Sequence, residues 1–316
     1  MFALPVSPLR SLRRFTLPVL CGLALAPGAF SQLYVAEYNG GRVGQYDAAT
    51  GTPANASFIS SVNDPIGLAA YGNSLFVASF TDGTIGRYDL NDGHLINSTF
   101  VSGLNHPDAL AVAGSDLFVV EYNTGVISRY DAATGTAIAT LPVPGSHSLV
   151  SVAVSGANIF VSDYFTGQIG HHDLGSGITD AAFISGLSHP LGLAVAGTSL
   201  FVINGDTGTV GQYDVTTGAT INASFIAGLN GGPTDLAVYG SSLFVNSNDG
   251  TVGQYDLLNG HVINAALISG LATPGGMAFA TAIPEPATSA LVGALLAASA
   301  AVGFRQFRAR RSANRV

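Results

Sequence analysis

Two sets of mostly polar residues recur at fixed spacing along this chain, and their types suit metal binding or acid–base chemistry. One set follows a Leu-Phe-Val-like segment and comprises Glu37, Ser79, Glu121, Asp163, Asn204 and Ser247. The other precedes a small apolar segment and comprises Asp64, His106, His147, His189, Gly232 and Thr273, with His147 one residue out of register. Imidazole and carboxylate groups together suit Zn²⁺. Oxygen ligands alone, from the first set, suit Ca²⁺.

A structural interpretation of the same residues stays open. Asp and His frequently cap turns, and polar residues at strand ends are often simply hydrated. The candidate metal- or ligand-binding face comprises Glu37, His106, Glu121, His147, Asp163, His189 and Asn204. No residue is predicted to be catalytic and no cofactor is required, with Ca²⁺ or Zn²⁺ as the candidates if a metal binds.

These residues belong to a repeat. The equivalent residues Tyr46, Tyr88, Tyr130, His172, Tyr213 and Tyr255 follow one another at steps of 42, 42, 42, 41 and 42. A fixed period in this range indicates a repeat architecture. The unbroken periodicity favours one domain over two.

Each repeat contains four short apolar runs separated by turn residues, which predicts four strands. In the second repeat they span residues 67–72, 75–79, 84–88 and 95–102. The first run is small and suits a crowded centre, and the second is fully apolar and should be buried on both faces. The third ends in a recurring Asp that should cap a turn, and the fourth should alternate as an outer strand. Six such units predict an all-β, six-bladed β-propeller of four-stranded antiparallel blades.

The two ends of the repeat region predict ring closure. The first repeat begins at its second strand, at Leu33, and has no inner strand before it. Residues 274–279 supply an inner-strand sequence with no repeat after it. We therefore expect this last strand to complete the first blade and close the ring.

The repeat text is similar to NHL-type and related six-bladed propellers, from Leu33 to Ala280. Residues 190–195 (PLGLAV), followed by 200–202 (LFV), show the pattern best. The resemblance implies the fold, within a family whose functions range from protein binding to lyase and lactonase chemistry. The candidate face loosely resembles calcium-dependent gluconolactonase-like propellers and propeller lyases with a three-His zinc site.

The N-terminal segment is typical of a secretory signal peptide. Arg10, Arg13 and Arg14 precede an apolar run over residues 15–26, and Ala29 and Ser31 supply small residues before a cleavage point. We assign residues 1–31 to the signal peptide and residues 32–281 to the propeller.

The C-terminal segment, residues 282–316, combines three features in order. Pro284, Glu285 and Pro286 lead into an uncharged run over residues 287–304, and five Arg follow. Eighteen residues of helix reach roughly 27 Å, enough to cross a bilayer core, so one transmembrane helix is predicted. This arrangement resembles the PEP-CTERM sorting signal. It implies a Gram-negative exported protein that an exosortase-type enzyme processes, held transiently at the inner membrane and then delivered to the cell surface or extracellular matrix.

Composition excludes several functions. The chain has no Lys, and residues 32–281 carry three Arg against eighteen Asp and Glu, so nucleic-acid binding is not expected. Cys21, the only cysteine, lies in the predicted signal peptide, which leaves no thiol for a disulfide or a nucleophile.

The sequence favours a binding or scaffold module for an extracellular protein or polysaccharide. Membrane contact is expected only through the C-terminal helix. A metal-dependent hydrolase or lyase and a purely structural matrix protein remain the alternatives.

Overall fold

A computed structural model describes residues 31–122, 124–146 and 148–280 of the chain. Within these residues every regular element is a strand, and no helix is long and apolar enough to cross a membrane. The predicted signal peptide and C-terminal sorting segment, with its helix, lie outside the described residues.

The strands follow the predicted period of four. Blade 1 begins with β1 (Gln32–Glu37), β2 (Arg42–Asp47) and β3 (Pro53–Ser60). Blade 2 contains β4 (Pro65–Tyr71), β5 (Ser74–Ser79), β6 (Thr84–Asp89) and β7 (Leu95–Ser102). Blade 3 contains β8 (Pro107–Ala113), β9 (Asp116–Glu121), β10 (Val126–Asp131) and β11 (Ala137–Pro142).

The second half repeats this order. Blade 4 contains β12 (Leu149–Ser155), β13 (Asn158–Asp163), β14 (Gln168–Asp173) and β15 (Thr179–Ile184). Blade 5 contains β16 (Pro190–Ala196), β17 (Ser199–Asn204), β18 (Thr209–Asp214) and β19 (Thr220–Ile226). Blade 6 contains β20 (Pro233–Tyr239), β21 (Ser242–Ser247), β22 (Thr251–Asp256) and β23 (Val262–Ile268), and the last strand is β24 (Pro274–Ala280).

The last strand closes the ring, as predicted. β24 pairs antiparallel with β1, with Leu33 opposite Phe279 and Val35 opposite Met277, so blade 1 has the order β24-β1-β2-β3. The inner strands β24, β4, β8, β12, β16 and β20 contact one another in sequence around a central channel. The six-bladed β-propeller of four-stranded antiparallel blades is therefore confirmed.

The core lies between the blades. The second strand of every blade places a large aromatic side chain where solvent is excluded, at Tyr34, Phe76, Phe118, Phe160, Phe201 and Phe244. These strands are buried on both faces, which is why their sequence shows no polar alternation.

The recurring Asp at the end of each third strand caps a turn, as predicted. One carboxylate oxygen of Asp47 accepts the N–H groups of Ala49 at 3.0 Å and Thr50 at 2.8 Å. Equivalent bonds occur at Asp89, Asp131, Asp173, Asp214 and Asp256. The acidic residue is thus required by the turn, because its oxygen satisfies backbone donors that the hairpin leaves free.

The outer strands differ from the predicted alternation. In β3, β7, β19 and β23 the first five residues are exposed and the next two are buried. A bulge causes the change in β3, where Ile59 pairs with Val43 but Asn55 pairs with Gln45. The amide oxygen of Asn55 accepts the N–H of Ser57 at 3.0 Å and so replaces a missing ladder acceptor.

Glycine in the hairpin turns allows neighbouring blades to pack closely. Gly93 has a φ of +74°, and a Cβ added there would overlap the carbonyl oxygen of Phe58 in blade 1. Gly72 has a φ of +56°, but a Cβ there would meet no described atom within 4 Å. Substituting each glycine in turn therefore distinguishes the cost of backbone strain from the cost of disturbing the contact between blades.

We expect Gly93→Ala to destabilise the protein by about 3 kcal/mol and Gly72→Ala by about 1 kcal/mol. Both variants carry the cost of a left-handed backbone, but only Gly93→Ala also pushes blade 2 away from blade 1. Urea unfolding of the two variants measures the difference. Equal losses in both would show that the close approach of the blades contributes nothing.

Candidate functional site at the mouth of the central channel

The loop residues that precede the inner strands, which include the candidate histidines, share a backbone conformation. Five of them, namely Asp64, His106, His189, Gly232 and Thr273, have positive φ angles between 44° and 71°. Asp and His are among the non-glycine residues that most often adopt this conformation. The backbone therefore explains much of the residue choice at this position.

The same loop residues hold the mouth loops together through their carbonyl groups. His106 accepts the N–H of Tyr122 at 3.0 Å, and His189 accepts that of Gly205 at 3.1 Å. In blade 4 the acceptor for Tyr164 is Ser148, at 3.0 Å. Ser148 therefore occupies the position equivalent to His106, and His147, which lies outside the described residues, precedes it.

The predicted polar ring is buried. The Glu37 carboxylate is 0% exposed, accepts two bonds from Arg42 at 2.7 and 2.9 Å, and accepts the N–H of Ala272 at 2.8 Å. Glu121 accepts the N–H of Asn105 at 2.7 Å and the hydroxyl of Ser128 at 2.8 Å. Each carboxylate thus links its own blade to the loop that precedes the inner strand of that blade.

Asp163 and Asn204 complete the ring and are also buried. One oxygen of Asp163 accepts the N–H groups of Phe165 at 3.2 Å and Thr166 at 3.0 Å, while the other has no partner among the described residues. Burial raises the pKa of Tyr213, and the Asn204 side chain opposes the rise. The side chains of Asp163 and Asn204 are therefore both enclosed by protein and not open to solvent.

Within the described residues, the candidate ligands do not gather at one point. In the part of the chain that the structure describes, only Asp89, Asp92 and His94 form a group of three His or carboxylate side chains with ligand atoms within 4.8 Å of one another. They lie in the hairpin turn between β6 and β7, at the end of the blade away from the mouth loops. Asp89 caps that turn, and Asp92 bonds His94 at 2.7 Å.

The two described candidate histidines pack on aromatic rings of the preceding blade. The His106 ring lies 4.7 Å from that of Phe80, and its Nδ1 bonds the Asn105 side chain at 2.8 Å. The His189 ring stacks on Tyr164 at 4.4 Å, and its Nδ1 bonds Asp206 at 2.7 Å. Each histidine thus supports an aromatic side chain at the mouth.

Those aromatic side chains form what we call the aromatic arc: Tyr38, Phe80, Tyr122 and Tyr164. They occupy equivalent positions in blades 1 to 4, directly after the polar ring, and are half-buried; blades 5 and 6 carry Gly205 and Asn248 instead. Phe80 lies 6.3 Å from Tyr38 and 6.2 Å from Tyr122, ring centre to ring centre. The channel mouth therefore has a side that carries these aromatic residues and a side that carries Gly205 and Asn248 in their place.

A cavity of about 360 Å³ occupies the channel below the arc. The inner strands of all six blades line it, and it reaches the mouth at Tyr38, Asn248 and Thr273. Most of the lining is small or aliphatic. The lining also includes two acids, Asp108 of β8 and Asp235 of β20, and blades 3 and 6 place them on opposite sides of the channel.

Burial changes the acidity of both channel carboxyl groups. Enclosure by protein, with the charge of Asp235 as a second cause, raises the pKa of Asp108 to about 8. Enclosure raises the pKa of Asp235 to about 7, although the N–H groups of Met277 and Leu236 bond its charged form and oppose the rise. Both side chains are partly exposed, but the surface they expose faces the channel lumen. Enclosure, then the charges of Asp64 and Asp108, also raises the pKa of Tyr38.

Neither the aromatic arc nor the pair of channel acids was predicted from the sequence. Comparing equivalent residues between blades would have revealed Asp108, because blades 2, 4 and 5 carry the apolar residues Ile66, Val150 and Leu191 at the same position. Asp235 likewise replaces a residue that is Gly or another small residue in every other blade. An acid within a small apolar inner strand departs from the repeat pattern, which singles out both positions in the sequence.

The comparisons with known proteins identify a fold. No protein-family model matches the chain, and no curated protein matches it. A chain of a nidogen/laminin complex superposes with a TM-score of 0.70 at 17% identity, covering 79% of this chain and 98% of its own. The computationally designed Ika8 protein superposes with a TM-score of 0.50 at 17% identity, covering 75% of this chain and 76% of its own.

At this identity the likeness shows the fold alone. The protein is a six-bladed β-propeller, a fold that commonly serves as a binding or scaffold module. Its channel is aromatic at the mouth and acidic within.

Proposed function

We propose that this chain is an exported, surface-delivered binding module whose channel mouth holds an extracellular protein. The aromatic arc carries the proposal. Tyr and other aromatic side chains that keep part of their surface exposed provide large contact areas at little entropic cost, and they dominate many protein interfaces.

Delivery to the surface rests on the two chain ends, which lie outside the described residues. The signal peptide over residues 1–31 and the motif of Pro284, Glu285 and Pro286 support export and processing by an exosortase-type enzyme. The proposed partner is therefore found in the extracellular matrix or on the cell surface.

The acidic character of the propeller supports a partner with basic groups. The described residues contain Arg42, Arg87 and Arg129 as the only permanent cations. Arg42 bonds Glu37 and Arg129 bonds Asp116, so two of the three are already paired. Complementary charge raises the rate of association and selects among partners.

Binding to isolated extracellular matrix from the producing organism tests the proposal. One portion of the matrix is treated with protease and another with periodate, which destroys polysaccharide. We expect saturable binding that protease abolishes and periodate spares. The reverse pattern would replace the protein partner by a polysaccharide, and the absence of saturable binding would favour a structural matrix protein.

We expect the double variant Phe80→Ala, Tyr122→Ala to weaken this binding by about 100-fold, since each lost aromatic anchor contributes about 1–2 kcal/mol. Leu258→Ala is the matched control, because Leu258 is 89% exposed but lies in a hairpin turn remote from the mouth. Equal binding by the two variants would overturn the assignment of the arc as the binding surface.

A further inference from the structure

The central channel contains two carboxyl groups whose charge nothing in the described lining balances. Asp108 and Asp235 face the same cavity, and the residues that line it include no Arg and no His. We propose that the channel receives the cationic side chain of an Arg or Lys residue of the partner protein, held between Asp108 and Asp235. This inference rests on the proposed function and deepens it, because it names the chemical group that enters the site.

The two carboxyl groups make few hydrogen bonds within the protein, which leaves them able to bind a ligand. Asp108 accepts no hydrogen bond from the described residues, and no hydrogen bond contributes to the shift of its pKa. Asp235 accepts the N–H of Met277 at 3.0 Å through one oxygen. A charged carboxylate enclosed by protein is costly unless it is paired, so a cationic donor that enters the channel would stabilise the charged form of Asp108.

A metal ion fits the channel less well than an organic cation does. Zn²⁺ takes four protein or water ligands with a preference for His and Cys, and Ca²⁺ takes six to eight oxygens. Among the described residues, no third His, Cys or carboxylate group lies close enough to Asp108 and Asp235 to form a three-ligand set. An ammonium or guanidinium group needs only a few acceptors, which the two carboxylates provide.

The shape of the cavity suits an extended side chain that enters from the mouth. The cavity of about 360 Å³ is continuous with Tyr38, Asn248 and Thr273 at the mouth and has aliphatic walls at Leu68 and Leu193. The methylene stem of Arg or Lys packs on such walls while the charged head reaches polar groups. Tyr38 adds an aromatic side chain beside the entry, and cations are attracted to aromatic faces.

Proton release provides a signature of this binding. A bound cation stabilises the charged form of Asp108 and Asp235, so it lowers pKa values that enclosure has raised to about 8 and about 7. Affinity should therefore increase as pH rises from 6 to 8, by up to about tenfold per pH unit for each proton released. The titratable groups around β8 are His106 at its start, Tyr71 of β4, Asp116 and Glu121 of β9, Tyr38 at the mouth, and Asp235 across the channel.

Two small probes test the inference without the natural partner. Isothermal titration with N-acetyl-arginine amide and with its neutral analogue N-acetyl-citrulline amide compares cation with isostere in the intact protein. We expect the arginine probe to bind at least about tenfold more tightly, with affinity that rises between pH 6 and pH 8. Asp108→Asn should remove most of this preference and of its pH dependence, whereas Asp214→Asn, in an exposed turn, should change neither.

The outcomes separate the two proposals. Equal affinity for both probes, or no binding of the arginine probe at about 10 mM, overturns the cation inference even if matrix binding succeeds. Selective binding of the arginine probe supports the inference even if no matrix partner is found. Stoichiometric binding of CaCl₂ or ZnCl₂ that Asp108→Asn abolishes would replace the organic cation by a metal ion and overturn the inference.

Discussion

Removal of β24, by ending the chain before Pro274, is expected to abolish cooperative unfolding. Without this strand β1 loses its pairing partner, with Leu33, Val35 and their neighbours left at an open edge. The apolar face shared by Met277 and Leu33 would also be exposed to water. An unpaired apolar edge favours aggregation, so the shortened protein should aggregate or melt without a defined transition.

The closing strand is also held from blade 6. The Asp235 carboxylate accepts the N–H of Met277, and the Asn246 amide donates to the carbonyl of Gly275. Ser151 and Ser162 make equivalent bonds from blade 4 to blade 5. These side chains substitute for contacts that the close packing of glycine provides elsewhere in the ring, for example where Gly67 approaches the backbone at Asp108.

A chain that ends after Ala280 is the matched control, since it also lacks the C-terminal segment but retains β24. Differential scanning calorimetry and light scattering compare the two proteins. We expect a single sharp transition from the control and none from the chain that ends before Pro274. Identical melting curves would contradict ring closure by β24.

The architecture was predictable because each of the six repeats has to meet the same structural requirements. Each blade must bury a strand like the one around Phe76 and turn the chain at a residue like Asp89, so residue choice recurs with the period of the fold. The role of β24 was predictable because Leu33 starts a repeat at its second strand. Local pattern and topology therefore agree.

The site was predicted less completely, since polarity alone does not reveal what a side chain bonds. Glu37 is acidic because it pairs with Arg42, and His106 occupies a left-handed backbone position. Neither the ion pair nor the backbone conformation can be recognised from a single sequence. Asp108 and Asp235 lie at different positions of their inner strands, and they line the same channel only when the ring closes.

The outer strands show a second limit of pattern reasoning. The text around Asn55 alternates in polarity, but the alternation was wrong as a guide to burial because a bulge interrupts the pairing of β2 with β3. A bulge changes which residues share a face, and its signal here is the recurring Asn rather than hydrophobicity.

Raising the pH from 5 to 9 is expected to lower the free energy of unfolding by at least about 3 kcal/mol. In the unfolded chain the pKa of Asp is about 3.9, whereas enclosure raises that of Asp108 to about 8 and that of Asp235 to about 7. Between these values the folded protein holds more protons than the unfolded chain, so stability decreases as pH rises. A pKa difference of one between the folded and unfolded states corresponds to about 1.4 kcal/mol, and water in the channel reduces the full amount.

Asp108→Asn isolates this contribution, because Asp108 accepts no hydrogen bond from the described residues and the amide occupies nearly the same volume. We expect the variant to be more stable than the unaltered protein by about 2 kcal/mol at pH 9 and to differ little at pH 5. Urea unfolding at intervals of pH measures both proteins, and the histidines, which they share, cancel in the difference. Asp214→Asn is the control: hydrogen bonds from Thr217 and Thr216 lower the pKa of Asp214, which therefore stays charged throughout this range. If the unaltered protein and Asp108→Asn lose stability in parallel as pH rises, the Asp108 carboxyl group ionises as it does in water, and the channel does not enclose it.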